Sequence, residues 1–139
     1  MSVVRLGRRV AELKFTGIKS KAKQLGKVRL VSDEVEAASS NELIKIGSGL
    51  IAEDKGLVVV LGSGDDMARV IVMAGEDAVN AGVNCGEMAA EAARIIGGGG
   101  GGRPDMGQGG GPKADFIVAA LKRAKEICVK QLGQETTKS

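Results

Sequence analysis

The sequence contains no histidine, no tryptophan and no tyrosine, and only two phenylalanines, Phe15 and Phe116. Without histidine there is no imidazole acid–base chemistry, no Ser-His or Cys-His nucleophile pair and no His-ligated zinc. Without Tyr and Trp, nucleobases have almost no aromatic platform to stack on. Cysteine is scarce too. Cys85 and Cys128 stand alone with no CxxC spacing. They cannot form a zinc site by themselves, and they read as small buried hydrophobes in a reducing compartment. No metal or other cofactor is expected. Apolar runs such as Leu57–Leu61 are too short to span a bilayer. The start, Met1-Ser2-Val3-Val4-Arg5, lacks the apolar stretch of a signal peptide. The expectation is a cytoplasmic protein without a membrane partner.

Glycine and, locally, positive charge are abundant. Glycine accounts for 22 of 139 residues, more than twice the average of about 7%. The hydrophobic share of 43% and charged share of 27% suit a single folded domain of this length. The net charge of +3 hides an asymmetry. Residues 1–29 carry nine basic groups and one acid, residues 30–96 twelve acids and four bases, and residues 97–139 seven bases and four acids. The basic ends invite a polyanion; the acidic middle does not. On charge alone, a lysine-rich first helix is equally well read as a solvated face.

Hydrophobic spacing supplies the elements. Val3, Leu6, Val10 and Leu13, then Phe15, Ile18, Ala22 and Leu25, predict a helix over 3–25 with a bend at Gly17. Lys27–Ser32 reads as a strand. Ser39 with Glu42 three residues on is a capping box that opens a helix burying Leu43, Ile46 and Leu50. Leu57–Leu61 and Met67–Ala74 read as hairpin strands around a loop at 62–66, and 75–83 as irregular. Asn84 with Glu87 caps a helix running to Ile96, with Met88, Ala92 and Ile95 in its core stripe. Pro112 suits the first turn of a last helix to Leu132, buried through Ile117, Ala120, Leu121, Ala124 and Cys128. The fold expected is α/β (α+β): a small mixed sheet covered by helices, with an N-terminal helical arm and a glycine-rich loop before the last helix. Residues 1–26 are then an N-terminal helical segment, 27–132 the globular domain and 133–139 a disordered tail. Apolar stripes on 3–25 and on the last helix exceed what one small sheet covers, so a homodimer is expected.

The glycine segment, residues 97–112, holds ten glycines in sixteen positions around Arg103-Pro104-Asp105-Met106 and Gln108. A flexible linker does not need that interior. Bare backbone N–H groups and the Arg103 fork suit an anion. A structural role and an oligomer contact remain open beside anion binding. Walker A and Rossmann patterns are absent.

At this segment the chain resembles a known family. Gly97–Gly111, with Arg103-Pro104-Asp105-Met106 and Gln108 between the glycine runs, and Asn84-Cys85-Gly86-Glu87 upstream, are similar to the C-terminal, DHHA1-type domain of alanyl-tRNA synthetase in its archaeal form. Cys85 and Gly107 stand where that pattern has alanine. The match is specific over 84–112, consistent over about 57–132, and over 1–56 rests on element order. The resemblance implies a non-catalytic domain appended to an alanine–tRNA ligase, with no catalytic residue in this chain. It would bind the outer corner of alanine-specific tRNA, assist dimerisation, and couple aminoacylation with editing beside the catalytic and editing domains. Gly99, Gly100, Gly101, Gly102, Arg103, Asp105, Gln108, Gly109 and Gly110 are the expected tRNA contacts. Charge adds Lys19, Lys21, Lys23 and Lys27. The alternative is a substrate-recognition tail of a DHH-type phosphoesterase, where the glycines tend to lead into histidine rather than Arg103, or a pure protein-interaction module.

Overall fold

The computed structural model describes residues 22–36, 38–64 and 66–133. A six-stranded mixed sheet runs through all of them, in the order β1-β2-β3-β4-β6-β5. The strands are β1 (Lys23–Leu25), β2 (Val28–Glu34), β3 (Leu57–Gly64), β4 (Ala68–Ala74), β5 (Gly99–Arg103) and β6 (Met106–Gly111). Only β2 and β3 pair in parallel; every other pair is antiparallel. That parallel pair needs a crossover, supplied by helix α1 (Ser40–Glu53).

Strand alternation divides the core in two. Leu57, Val59 and Leu61 of β3, with Val31 and Ile71 from its neighbours, pack against Leu43 and Leu50 of α1. Val58 and Val60, with Val28, Leu30, Val70 and Val72, face the other way. They meet helices α3 (Cys85–Ile95) and α4 (Ile117–Gln131) through Met88, Ala92, Ile117, Ala120, Leu121, Ala124 and Cys128. Strands that are apolar on both sides are sandwiched, as their composition requires. Caps stand where expected. The Ser39 hydroxyl accepts from the Glu42 N–H and the Glu42 carboxylate from the Ser39 N–H, and the Asn84 side chain accepts from the Glu87 N–H.

Several expectations need correction. Residues 97–112 are a β-hairpin, not a loop. Lys23–Leu25 is a strand rather than the end of a helix. Gly26, at φ 64°, turns the chain so that β1 folds back on β2, and Leu25 packs on the core. Residues 62–64 extend β3 by pairing with Val70, Arg69 and Ala68 of β4, and Ser63 satisfies its buried hydroxyl by donating to the Ala38 carbonyl at 2.7 Å. The stretch read as irregular contains the short helix α2 (Glu76–Asn80). The last helix begins at Ile117 behind a 3-10 turn at Ala114–Phe116, so its positive end does not lie at Pro112. Its buried face packs against the sheet and α3 together, which leaves Val118 on the helix and Phe116 in the turn before it as exposed large hydrophobics; this helix therefore supplies less surplus apolar surface than expected. The helix read over 3–21 and the tail at 134–139 lie outside the described residues.

The α1–β3 connection is pinned by charge. Asp54 receives both Nε and Nη2 of Arg29 and also accepts from the Gly56 N–H at 3.0 Å. The Arg29 hydrogen bond holds the Asp54 carboxyl below its ordinary range despite partial desolvation. A carboxylate with a lowered folded pKa contributes stability above its unfolded value near 3.8 and loses it as pH falls through the folded value. Asp54→Asn should therefore lower stability at pH 7 and flatten its decline below about pH 4, as measured by urea unfolding across pH.

Candidate glycine-hairpin binding face

The hairpin is held to α3 by backbone contact. Gly99↔Gly110, Gly101↔Gln108 and Arg103↔Met106 pair across β5 and β6, with Gly100↔Gly109 and Gly102↔Gly107 between them. Side-chain direction alternates, so the two sets face opposite ways. Gly100, Gly102, Gly107, Gly109 and Gly111 face α3. A Cβ on Gly107 would lie 2.5 Å from the Cys85 carbonyl oxygen, and one on Gly100 2.9 Å from that of Ala89. A Cβ on Gly109 would lie 2.9 Å from that of Ala93. In return, a Cβ on Gly86 would lie 2.6 Å from the Gly102 oxygen. Helix and hairpin thus approach more closely than any side chain permits. Hydrogen bonds tie both ends: the Cys85 N–H donates to the Pro104 carbonyl at 2.9 Å and the Gly98 N–H to the Ala93 carbonyl at 2.9 Å. The first of these consumes a free donor at the α3 N-terminus.

The other side of the hairpin is open. Among the described residues, a Cβ on Gly99 or Gly101 would meet nothing within 4 Å, and one on Gly110 only the Ala68 oxygen at 3.3 Å. Gln108 and Arg103 are exposed there. Arg103 Nε lies 3.3 Å from Asp105 Oδ1, with side chains 76% and 57% exposed. A pair this wet is worth little and exchanges readily with another anion. Arg103 also borders an open groove of about 550 Å³ with Ile51, Glu76, Val79 and Asp105. Glu76 and Asp105 make that groove a poor anion pocket.

The glycines expected as contacts therefore divide. Gly99, Gly101 and Gly110 stand on the open face with Arg103, Gln108 and, at the turn, Asp105. Gly100, Gly102 and Gly109 serve helix packing. The sequence carried a signal for this: small residues at 86, 89 and 93 form a helical stripe that matches alternate glycines in the tract. Lys23 and Lys27 are exposed at the β1–β2 turn, on the opposite edge of the sheet. Five strand spacings of about 4.8 Å put them roughly 24 Å from β5. Lys19 and Lys21 lie outside the described residues. The Cys85 and Cys128 thiols are buried, which pushes each up to about 12. They remain protonated, and neither acts as a nucleophile.

Comparison with known proteins identifies the family. The DHHA1 domain family model matches residues 25–130, and the chain belongs to that family. Within it, this is the C-terminal (C-Ala) domain of alanyl-tRNA synthetase, an appended domain of an alanine–tRNA ligase. The C-Ala domain of Aquifex aeolicus alanyl-tRNA synthetase superposes with a TM-score of 0.69 at 30% identity, over 78% of this chain and 97% of that one. An alanine–tRNA ligase of Alkaliphilus oremlandii is 44% identical over 84% of this chain. One of Methanococcoides burtonii is 33% identical over 93%. The chain spans 13% and 14% of these two proteins' lengths. A pGpG-specific phosphodiesterase of Vibrio has the same fold, with a TM-score of 0.52 at 15% identity. No helix among the described residues is long and apolar enough to cross a membrane.

The division of the hairpin predicts opposite outcomes for two matched substitutions. Gly107→Ala should lower unfolding stability by about 1–3 kcal/mol, because backbone of α3 must move. Gly99→Ala should change it by no more than about 0.5 kcal/mol. Urea denaturation of both variants measures this.

Proposed function

We propose that this domain holds the tRNA of an alanine–tRNA ligase at the tRNA's outer corner and, through that grip, couples aminoacylation with editing beside the ligase's catalytic and editing domains. The observation that carries this reading is the open glycine face. Gly99, Gly101 and Gly110 present peptide backbone with no side chain of their own, beside an exposed Arg103 and an exposed Gln108. Arg103 exchanges Asp105 for a phosphate. Gln108 and Asp105 bond to 2′-hydroxyls, and the RNA backbone lies directly on the glycines. Such contacts read shape rather than sequence. Lys23 and Lys27 add a second basic contact at the far edge; Lys19 and Lys21 precede them in the sequence and belong to the same proposal. The likeness to the phosphodiesterase rests on fold alone and gives the phosphoesterase alternative no further support. Homodimerisation is part of the same reading and rests on the Val3, Leu6, Val10 and Leu13 stripe; sedimentation at micromolar concentration yielding only monomer would contradict it.

The test is binding of folded tRNA against a short single-stranded oligonucleotide over a range of salt. The domain should prefer tRNA, show little dependence on the anticodon, and lose affinity with a log–log slope of about one per phosphate neutralised. Neutralising Lys19, Lys21 and Lys23 together should flatten the slope. Arg103→Ala should weaken binding while leaving stability within about 0.5 kcal/mol. Equal affinity for both ligands would refute a tRNA-specific surface.

A further inference from the structure

On the open side of the sheet, register places three rows across β4, β6 and β5: Arg69–Gly110–Gly99, Ile71–Gln108–Gly101 and Met73–Met106–Arg103. Ile71 is buried, and Met73 and the half-buried Met106 pack against the α1 cluster. The face left for a ligand therefore has Arg69 at one corner, Arg103 at the diagonal corner, Gln108 between them and bare glycine for the rest. With about 4.8 Å between strands and 3.3 Å per residue along them, the two corners stand roughly 16 Å apart. One phosphate cannot serve both.

Arg69 differs from the other arginines among the described residues. Arg29 pairs with Asp54, Arg94 and Arg123 with Glu91, and Arg103 with Asp105. Arg69 is half-buried and forms no ion pair among the described residues. A guanidinium without a counter-ion gains more from an anion than one that is already paired. Nothing in the packing requires charge there: the strand positions beside it on this face are Ser63 and Gly110.

We propose that Arg69 is a second phosphate-binding corner of the open glycine face, gripping a phosphodiester of the same RNA that Arg103 meets. This rests on the tRNA-binding reading of the hairpin. The planar fork takes two phosphate oxygens, and the sugar–phosphate chain passes from Arg69 over Gly110, Gly99 and Gly101 to Arg103, with Gln108 as the polar side chain beside it. The RNA is thereby laid across β4, β6 and β5 on the α1 side of the sheet, never on the α3 side, where the helix fills the space.

The test compares tRNA affinity across salt for the full chain and for Arg69→Gln, Arg103→Ala, both together, and Lys122→Gln on the exposed face of α4. Each arginine variant should bind about tenfold more weakly and lower the log–log salt slope by about one. The double variant should show both losses added, since the corners are more than about 10 Å apart. Lys122→Gln should bind as the parent does. If Arg103→Ala weakens binding and Arg69→Gln does not, the Arg69 assignment falls and the hairpin reading stands. If neither arginine matters, or the parent chain binds no tRNA, both fall. The Arg69 Nε–Hε NMR resonance of the unaltered chain gives a readout independent of any variant's folding. It should shift on saturation with tRNA, and an unmoved resonance would overturn the assignment.

Discussion

The contact on which the structure depends is backbone against backbone, α3 on the β5–β6 hairpin. Carbonyl oxygens of Cys85 and Ala89 lie where Cβ atoms of Gly107 and Gly100 would stand. Only glycine permits this, and glycine weakens a strand by roughly 0.5–1 kcal/mol relative to alanine. The hairpin is stabilised from outside itself. It draws on pairing with β4, on hydrogen bonds at both ends of α3, and on the helix that covers one side. The helix is fixed in turn: Gln131 at the end of α4 donates to the Asn84 carbonyl at 3.0 Å and to the Glu87 carboxylate at 2.7 Å, and accepts from the Asn84 N–H at 2.9 Å.

Coverage on the two sides of the sheet follows from this arrangement. Helices α3 and α4 cover one side, and α1 packs on β3 and β4 of the other. Beyond β4 the α1 side continues over β6 and β5 with no helix above it among the described residues. A sheet region that exposes apolar side chains would there be an aggregation hazard. Here it exposes peptide groups, Gln108 and arginine. The same composition that lets α3 approach so closely on one side leaves the opposite side flat, polar and positively charged. That link between packing and surface is why the proposed RNA face and the structural core share one sixteen-residue tract.

Much of the fold was legible because it was written in side chains. The capping pairs Ser39–Glu42 and Asn84–Glu87 marked two helix starts, and the apolar stripe from Ile117 to Cys128 marked the buried face of α4. Leu57–Leu61 disclosed a strand buried on both sides. The hairpin was illegible because strand patterns are read from alternating side chains, and Gly99–Gly102 has none. Arg103 was found through its setting in the glycine tract, but the sorting of glycines into a packing set and an open set needed the register. The period carried by Ala22 and Leu25 places Lys23 on a helix. Gly26 and the pairing with β2 decided otherwise. Arg69 had no signal at all, since an isolated arginine in an apolar strand becomes notable only when its neighbours across the sheet are known.

The central claim is that one side of the hairpin holds the fold together while the other is free to meet RNA. Gly101→Leu tests it most directly, because Gly101 lies midway along the edge strand of the open face with nothing among the described residues within 4 Å of a Cβ. Urea unfolding and tRNA binding should be measured on the same preparation. The account predicts stability within about 0.5 kcal/mol of the parent together with a loss of tRNA affinity of about tenfold or more. Unchanged affinity with unchanged stability would contradict it.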